Sequence, residues 1–343
     1  MYSETDLNSA VEAGAISPEA AIAFRNHIAA TRSSPAVDEE SFRLLTGFND
    51  IFVAIAIALL LTAVAWIGDW ISTPLAGAAV GVSAWGLAEY FTLRRRMALP
   101  SILLLLAFVG GVAATLVGTM VTLNPDLSDR IDMIIAAGIA LVTAGAAWLH
   151  WRRFMVPITI AALGAALVSV AIALFFAATH AGEETIYPLL LAGGVAMFAF
   201  AMWWDMSDTE RRTRRSDVAF WLHLTAAPMI AHSVFHMLGV FDENIGLGMA
   251  VVVLALYLVF GFVALAIDRR ALLVSSLAYV LYALYALFQK AGAVELSAAF
   301  TGLVIGSALL LLSAFWHPTR RLVVSTLGDL ARRLPPVSQP MAA

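Results

Sequence analysis

The sequence predicts an all-α fold, a bundle of about ten transmembrane helices with both termini in the cytoplasm. Three observations support this prediction. The 343 residues are 61% hydrophobic and 13% charged, with a mean hydropathy of +0.87, whereas soluble domains carry about 25% charged residues. Apolar runs of about 20 residues, long enough to cross a bilayer as helices, recur along the chain. Arginine clusters follow every second run.

We divide the chain into three regions. Residues 1–48 form a cytoplasmic helical leader and linker, residues 49–317 form the bundle, and residues 318–343 form an amphipathic helix and tail. In the leader, Gly14 ends one helix, and Ser17 caps the next, which extends to about residue 30. A piece this short can hardly bury a core alone. We therefore expect it to dock on the bundle, on a cytoplasmic partner or on a second copy.

Ten apolar segments make up the predicted bundle. Each is long enough for a hydrocarbon layer of about 30 Å. In chain order they cover about residues 50–68, 71–93, 101–123, 131–150, 156–179, 187–205, 217–239, 245–267, 271–289 and 294–316.

The distribution of positive charge predicts the orientation. Of the 20 lysines and arginines, 15 follow the even-numbered segments, and three precede the first segment. Only Arg130 and Lys290 fall on the opposite side. This asymmetry follows the positive-inside rule and places both termini in the cytoplasm, in the inner membrane of a bacterium. After the tenth segment, Val323, Leu327, Leu330 and Leu334 share one helical face, which predicts an interfacial helix on the cytoplasmic leaflet.

Ionisable groups within membrane segments are the first candidates for function. Glu89 lies near the cytoplasmic end of the second segment, where it either couples protons or pairs with Arg94, Arg95 or Arg96. The most polar segment is the seventh, and the ninth is rich in tyrosine. Their candidate substrate-binding residues, with Glu89, are His223, Thr225, Ser233, His232, His236, Tyr279 and Tyr282.

His232 and His236 are four residues apart and share a helical face, a spacing that suits two ligands of one metal ion. Further ligands would have to come from His180, Asp242 or Glu243. His223 and His236 have a spacing seen in bis-haem helices, but no second helix carries matching histidines. Satisfied interior histidines, a polar substrate path and a metal or haem site all remain open as interpretations.

Several classes of function have no support in the sequence. The absence of cysteine excludes disulfides and thiolate chemistry. No phosphate-binding loop, zinc-protease motif or nucleophile elbow occurs, so we predict no catalytic residues and no cofactor. The arginines lie in short clusters and form no continuous basic face, so we predict no binding of nucleic acid.

The leader sequence DLNSAVEAGAISPEAAIAFRNHIA, followed by a polytopic region, resembles an uncharacterised family of predicted bacterial membrane proteins. The phrases GFNDIFVAIA and DRRALLVSSLAYVLYAL are similar in character to that family. The resemblance implies an architecture, and it implies no activity.

Three functions are consistent with these observations. The first is a permease-like protein for a small solute or lipid-like molecule, in contact with the lipid bilayer. The second is a structural or sensory membrane module that recruits a cytoplasmic partner, or a second copy, through residues 1–48. The third is a metal or haem protein that uses His232 and His236.

Overall fold

The computed structural model describes residues 4–24, 48–123, 125–179, 181–209, 211, 213–240, 247–290 and 297–336. Every regular element in these ranges is a helix. The chain divides into two compact units, residues 1–42 and residues 43–343. The all-α fold class predicted from the sequence is therefore confirmed for the described residues.

The leader contains two helices, α1 (Glu4–Glu12) and α2 (residues 18–24). Gly14, with a φ of +69°, separates them, as predicted. The Ser17 hydroxyl oxygen accepts a hydrogen bond from the Ala20 amide at 3.1 Å and so caps α2. Hydrogen bonds from its own backbone amide and from Ser17 lower the pKa of the exposed Glu19 carboxyl. The predicted extension of α2 and the linker to residue 47 lie outside the described residues.

The second unit consists of helices joined by short connections. In chain order they are α3 (Phe48–Ile71), α4 (Thr73–Ala88), a π-helical turn (Glu89–Arg94), α5 (Ala98–Leu123), α6 (Asp129–Phe154), α7 (Ile158–Ala178), α8 (Ile186–Met206), α9 (Arg214–Met237), α10 (Leu247–Ile267), α11 (Ala271–Lys290), α12 (Ser297–Ala314) and α13 (Trp316–Ser325). Each of the ten apolar segments predicted above overlaps one of these helices, α3 to α12.

Six helices are long and apolar enough, within the described residues, to cross a membrane: α3, α5, α6, α7, α9, and α8 with the short turn before it. Two of the other helices differ for identifiable reasons. The π-helical turn shortens α4 to 16 residues, and α12 meets α13 at a bend of 74°. Large apolar side chains face outward, among them Trp70, which is 90% exposed. The apolar helices and their apolar outer surface indicate a membrane protein.

The bundle is built largely from neighbouring helical pairs. The most extensive contacts join α4 to α5, α6 to α7 and α8 to α9. Helix α9 also packs against α7 and α11. Half of the most apolar stretch of α9 is buried, compared with 17–28% in the other five membrane-length helices. Helix α9, the most polar of the predicted segments, is therefore the most enclosed of the six.

The carboxy-terminal segment differs from its prediction. Helix α13 begins at Trp316 and ends at Ser325, and a 3₁₀ turn follows over Gly328–Arg333. Trp316, Arg320 and Val324 form its buried face, one turn apart from one another, and Arg320 is completely buried. The expected face contains Val323 and Leu327, which are only half-buried. The helix therefore docks on the bundle through a face that the apolar pattern did not indicate.

Candidate functional site

Helix α9 carries polar side chains at both of its ends. It begins after Thr213, whose hydroxyl caps it by accepting a hydrogen bond from the Arg215 amide at 3.3 Å. At 100° per residue, Thr225, His232 and His236 lie on one stripe of the helix, whereas His223 is 180° from His232. The candidate histidines of the seventh segment therefore belong to two different environments.

The first environment, here called the aromatic cluster, contains Tyr187 of α8, His232 and His236 of α9, and Tyr279 of α11. The His236 ring stacks on Tyr187 with 3.6 Å between centroids. His232 Nδ1 and the Tyr279 hydroxyl form a hydrogen bond of 2.8 Å. All four side chains are half-buried. Three helices thus bring hydrogen-bonding groups and aromatic rings together at the end of α9 that is remote from its arginines.

The hypothesis of a metal site gains no support from this geometry. The rings of His232 and His236 lie 5.9 Å apart, and each has an aromatic neighbour. Among the described residues, no group of three histidine, aspartate or glutamate side chains is arranged to hold a metal ion. The proposed further ligands His180, Asp242 and Glu243 lie outside the described residues.

Of the other predicted site residues, two bond within α9, one is exposed and one pairs with α6. The hydroxyls of Thr225 and Ser233 donate hydrogen bonds to the Trp221 and Met229 carbonyls of the same helix. Tyr282 is 42% exposed. Glu89 forms two hydrogen bonds with Arg153 of α6, at 2.9 and 2.7 Å.

This salt bridge corrects the expected partner of Glu89, which was one of Arg94, Arg95 and Arg96. Glu89 begins the π-helical turn and contacts α6, whereas the three arginines are exposed at the end of the turn and in the connection to α5.

The second environment is a buried ion cluster at the opposite end of α9. His223 Nε2 lies 3.0 Å from Asp205 Oδ2 of α8, and it donates the hydrogen bond because a carboxylate only accepts. Arg269, in the connection between α10 and α11, donates to the same carboxylate at 2.6 and 3.2 Å. It also donates to the backbone carbonyl and hydroxyl oxygens of Ser216. His223 is therefore already engaged by a carboxylate.

A second aspartate extends the ion cluster to the carboxy-terminal segment. Asp268 has a φ of +59°, a left-handed conformation that ends α10 and turns its side chain inward. Its carboxylate accepts hydrogen bonds from Arg211 at 3.1 Å and from Trp316 Nε1 at 2.8 Å. Arg320 Nε lies 3.5 Å from the same carboxylate, while its other nitrogens donate to the carbonyls of Pro335 and Pro336. Asp268 thus fastens α13 and the residues after it to the bundle.

Sequence reasoning missed most of the ion cluster. Asp205 is not among the candidates drawn from the sequence, and Arg269 and Arg320 enter there only as positive charges that indicate the topology. All three are at most 3% exposed. The sequence did contain one signal, an aspartate placed directly before an arginine pair in Asp268, Arg269 and Arg270. An acid inside an arginine cluster indicates that the arginines there have a structural partner.

We predict that Trp316→Phe loosens the carboxy-terminal segment without unfolding the bundle. The substitution keeps an aromatic ring at the position and removes the indole N–H that donates a hydrogen bond to Asp268. Hydrogen bonds to charged groups contribute about 1.5–3 kcal/mol. We expect faster tryptic cleavage after Arg321, measured by mass spectrometry of limited digests. Trp203→Phe, at a ring that is 59% exposed, is the control. Equal cleavage rates in both variants would contradict the prediction.

Comparison of the chain with protein-family models, with curated proteins and with solved structures found no match in any of the three. The resemblance of the leader and the two shorter phrases to a family of bacterial membrane proteins therefore stays a prediction.

Proposed function

We propose that the protein is a multi-pass, permease-like protein of a bacterial inner membrane that acts on a small solute or lipid-like molecule. In this proposal α3 to α12 are ten spans and both termini are cytoplasmic. The aromatic cluster supplies the binding groups at the outer end of α9. The ion cluster holds the inner ends of α8 and α9 together with the connection between α10 and α11.

One observation carries the proposal: the most enclosed of the membrane-length helices is also the most polar. Burial of polar side chains in a membrane bundle is costly, and such groups usually face a bundle interior or a water-filled cavity. In α9 the stripe of Thr225, His232 and His236 leads from the middle of the helix to the aromatic cluster. Pro228 lies between them and removes one backbone hydrogen bond from the helix. A stripe of this kind is suited to line a path for a polar molecule.

The natural absence of cysteine allows a direct test, because every introduced thiol is the only one in the chain. We predict that Thr225→Cys reacts with a water-soluble thiol reagent at least about tenfold faster than Leu224→Cys. The two positions are neighbours at the same depth, and both are half-buried. Leu224 packs against an apolar core cluster, whereas Thr225 lies on the polar stripe. The measurement is the rate of modification in membrane vesicles, followed by mass spectrometry.

The same reagent applied from one side checks the orientation. Met155→Cys and Asp126→Cys, both exposed in connections, should react from opposite faces of the membrane. Equally slow modification of Thr225→Cys and Leu224→Cys would refute the polar path. That result would favour the hypothesis that residues 1–48 recruit a partner, which the separate compact unit of the leader supports.

A further inference from the structure

Two arginine-rich turns of the bundle lie side by side. The first is the π-helical turn Glu89–Arg94 with the residues after it, where Arg94, Arg95 and Arg96 are consecutive and exposed. The second is the end of α6, with Arg152 and Arg153. The salt bridge between Glu89 and Arg153 joins them with two hydrogen bonds of 2.9 and 2.7 Å.

The two turns are held in place by contacts beyond that salt bridge. Trp85 of α4 packs on Phe154 of α6 with 5.0 Å between ring centroids. The π-helical turn is closed by a hydrogen bond of 3.0 Å from the Arg95 amide to the Tyr90 carbonyl. These contacts fix the backbones of both turns, so the arginines extend from a defined surface.

This surface carries an excess of positive charge. Of its five arginines, only Arg153 has a carboxylate partner among the residues that the structure describes. Arg94, Arg95, Arg96 and Arg152 have no such partner there, so within the described part of the chain the surface carries four positive charges without a paired carboxylate. Among the described residues, Glu89 is the one acid that forms a salt bridge with it, and both of its oxygens bind Arg153.

Two of these arginines lie over exposed aromatic rings. The guanidinium carbon of Arg95 is 5.7 Å from the centre of Tyr90, and that of Arg152 is 5.2 Å from Trp148. Tyr90 is 44% exposed and Trp148 is 51% exposed. Exposed tryptophan and tyrosine at helix ends occur at the level of lipid headgroups. An arginine on such a ring has fewer conformations to lose when it binds a phosphate oxygen.

We propose that this surface, the arginine site, binds the phosphate headgroup of an anionic phospholipid. The ligand chemistry is a phosphate, which guanidinium groups bind through paired hydrogen bonds. The source is a lipid because the aromatic rings that support the arginines lie at helix ends, beside the exposed apolar side chains Leu93 and Leu149, which acyl chains can contact.

The test compares lipid retention by purified variants in native mass spectrometry, after exchange with phosphatidylglycerol or phosphatidylcholine. We expect the protein to retain phosphatidylglycerol selectively. Arg95→Gln/Arg152→Gln should retain it about tenfold less, and the control Arg214→Gln/Arg215→Gln should stay within about twofold of the natural protein. The control removes two exposed arginines at the start of α9. An equal loss in both double variants would overturn the proposal in favour of general charge attraction.

Two further variants test the proposal if Arg95→Gln/Arg152→Gln folds poorly. Tyr90→Leu/Trp148→Leu keeps every charge and should still reduce retention at least about threefold. Glu89→Gln adds one net positive charge, so attraction by charge alone would strengthen retention, whereas loss of the link between the turns should weaken it. Unchanged retention in Tyr90→Leu/Trp148→Leu, or stronger retention in Glu89→Gln, would overturn the proposal. Displacement of the lipid by equimolar glycerol phosphate would overturn the assignment to a lipid.

Discussion

Replacement of Arg269 by glutamine is expected to lower the free energy of unfolding of the bundle by about 3–5 kcal/mol. Arg269 and Asp205 are 3% and 2% exposed, and two of their hydrogen bonds are 2.6 and 3.2 Å long. Without the guanidinium, the Asp205 carboxylate stays buried with His223 as its remaining partner in the ion cluster. The large effect arises because a buried charge without a counter-charge lowers the free energy of unfolding far more than the intact pair raises it.

A double variant separates this cause from simple loss of packing. Asp205→Asn/Arg269→Gln removes the carboxylate as well, so it should be more stable than Arg269→Gln alone. The measurement is denaturant unfolding in detergent, followed by tryptophan fluorescence. Arg215→Gln, at an exposed position on the first turn of α9, is the control and should change the free energy by less than about 1 kcal/mol.

Two results would contradict this account. The first is an Arg269→Gln variant as stable as the control, which would mean that water reaches the ion cluster and screens it. The second is a double variant less stable than Arg269→Gln, which would mean that Asp205 is stabilised mainly by groups other than Arg269. Either result would remove the ion cluster as the feature that joins α8, α9 and the connection after α10.

The helices could be predicted from the sequence because the hydropathy of a segment depends only on the residues of that segment. Each predicted apolar segment contains a helix, and Gly14 and Ser17 have the roles that their residue types indicated. The break at Glu89 could not be predicted in this way. The residue types of the turn, EYFTLR, are all compatible with a continuing α-helix, so they contain no signal for a π-helix.

The partners of the polar residues were less predictable than the helices. Glu89 pairs with Arg153, which is 64 positions away, and the sequence alone favoured the neighbouring arginines. Tyr187 was missed because it begins a predicted apolar segment, where a tyrosine is typical of the membrane interface, and its role arises from stacking on His236. Such pairs are set by the packing of α8 on α9 and of α4 on α6, which no local pattern contains.

The contact between α4 and α5 provides the second large expected effect. Gly111→Ala should lower the free energy of unfolding by about 1–3 kcal/mol, the usual range for overpacking. A methyl group at this position would lie 2.7 Å from the Gly81 amide nitrogen and 2.8 Å from the Gly77 carbonyl oxygen. Both atoms belong to the backbone of α4, so no side chain can rotate away and the helices must separate.

The neighbouring Gly110 provides a matched control, because a methyl group there would meet nothing within 4 Å. Gly110→Ala should therefore raise stability by up to about 1 kcal/mol, since alanine favours a helix more than glycine does. The two variants differ by one position on the same helix, and opposite signs are expected in thermal unfolding. Loss of stability in both would contradict the assignment of the effect to the close approach at Gly111. A loss confined to Gly111→Ala would show that close approach of the two backbones holds α4 against α5.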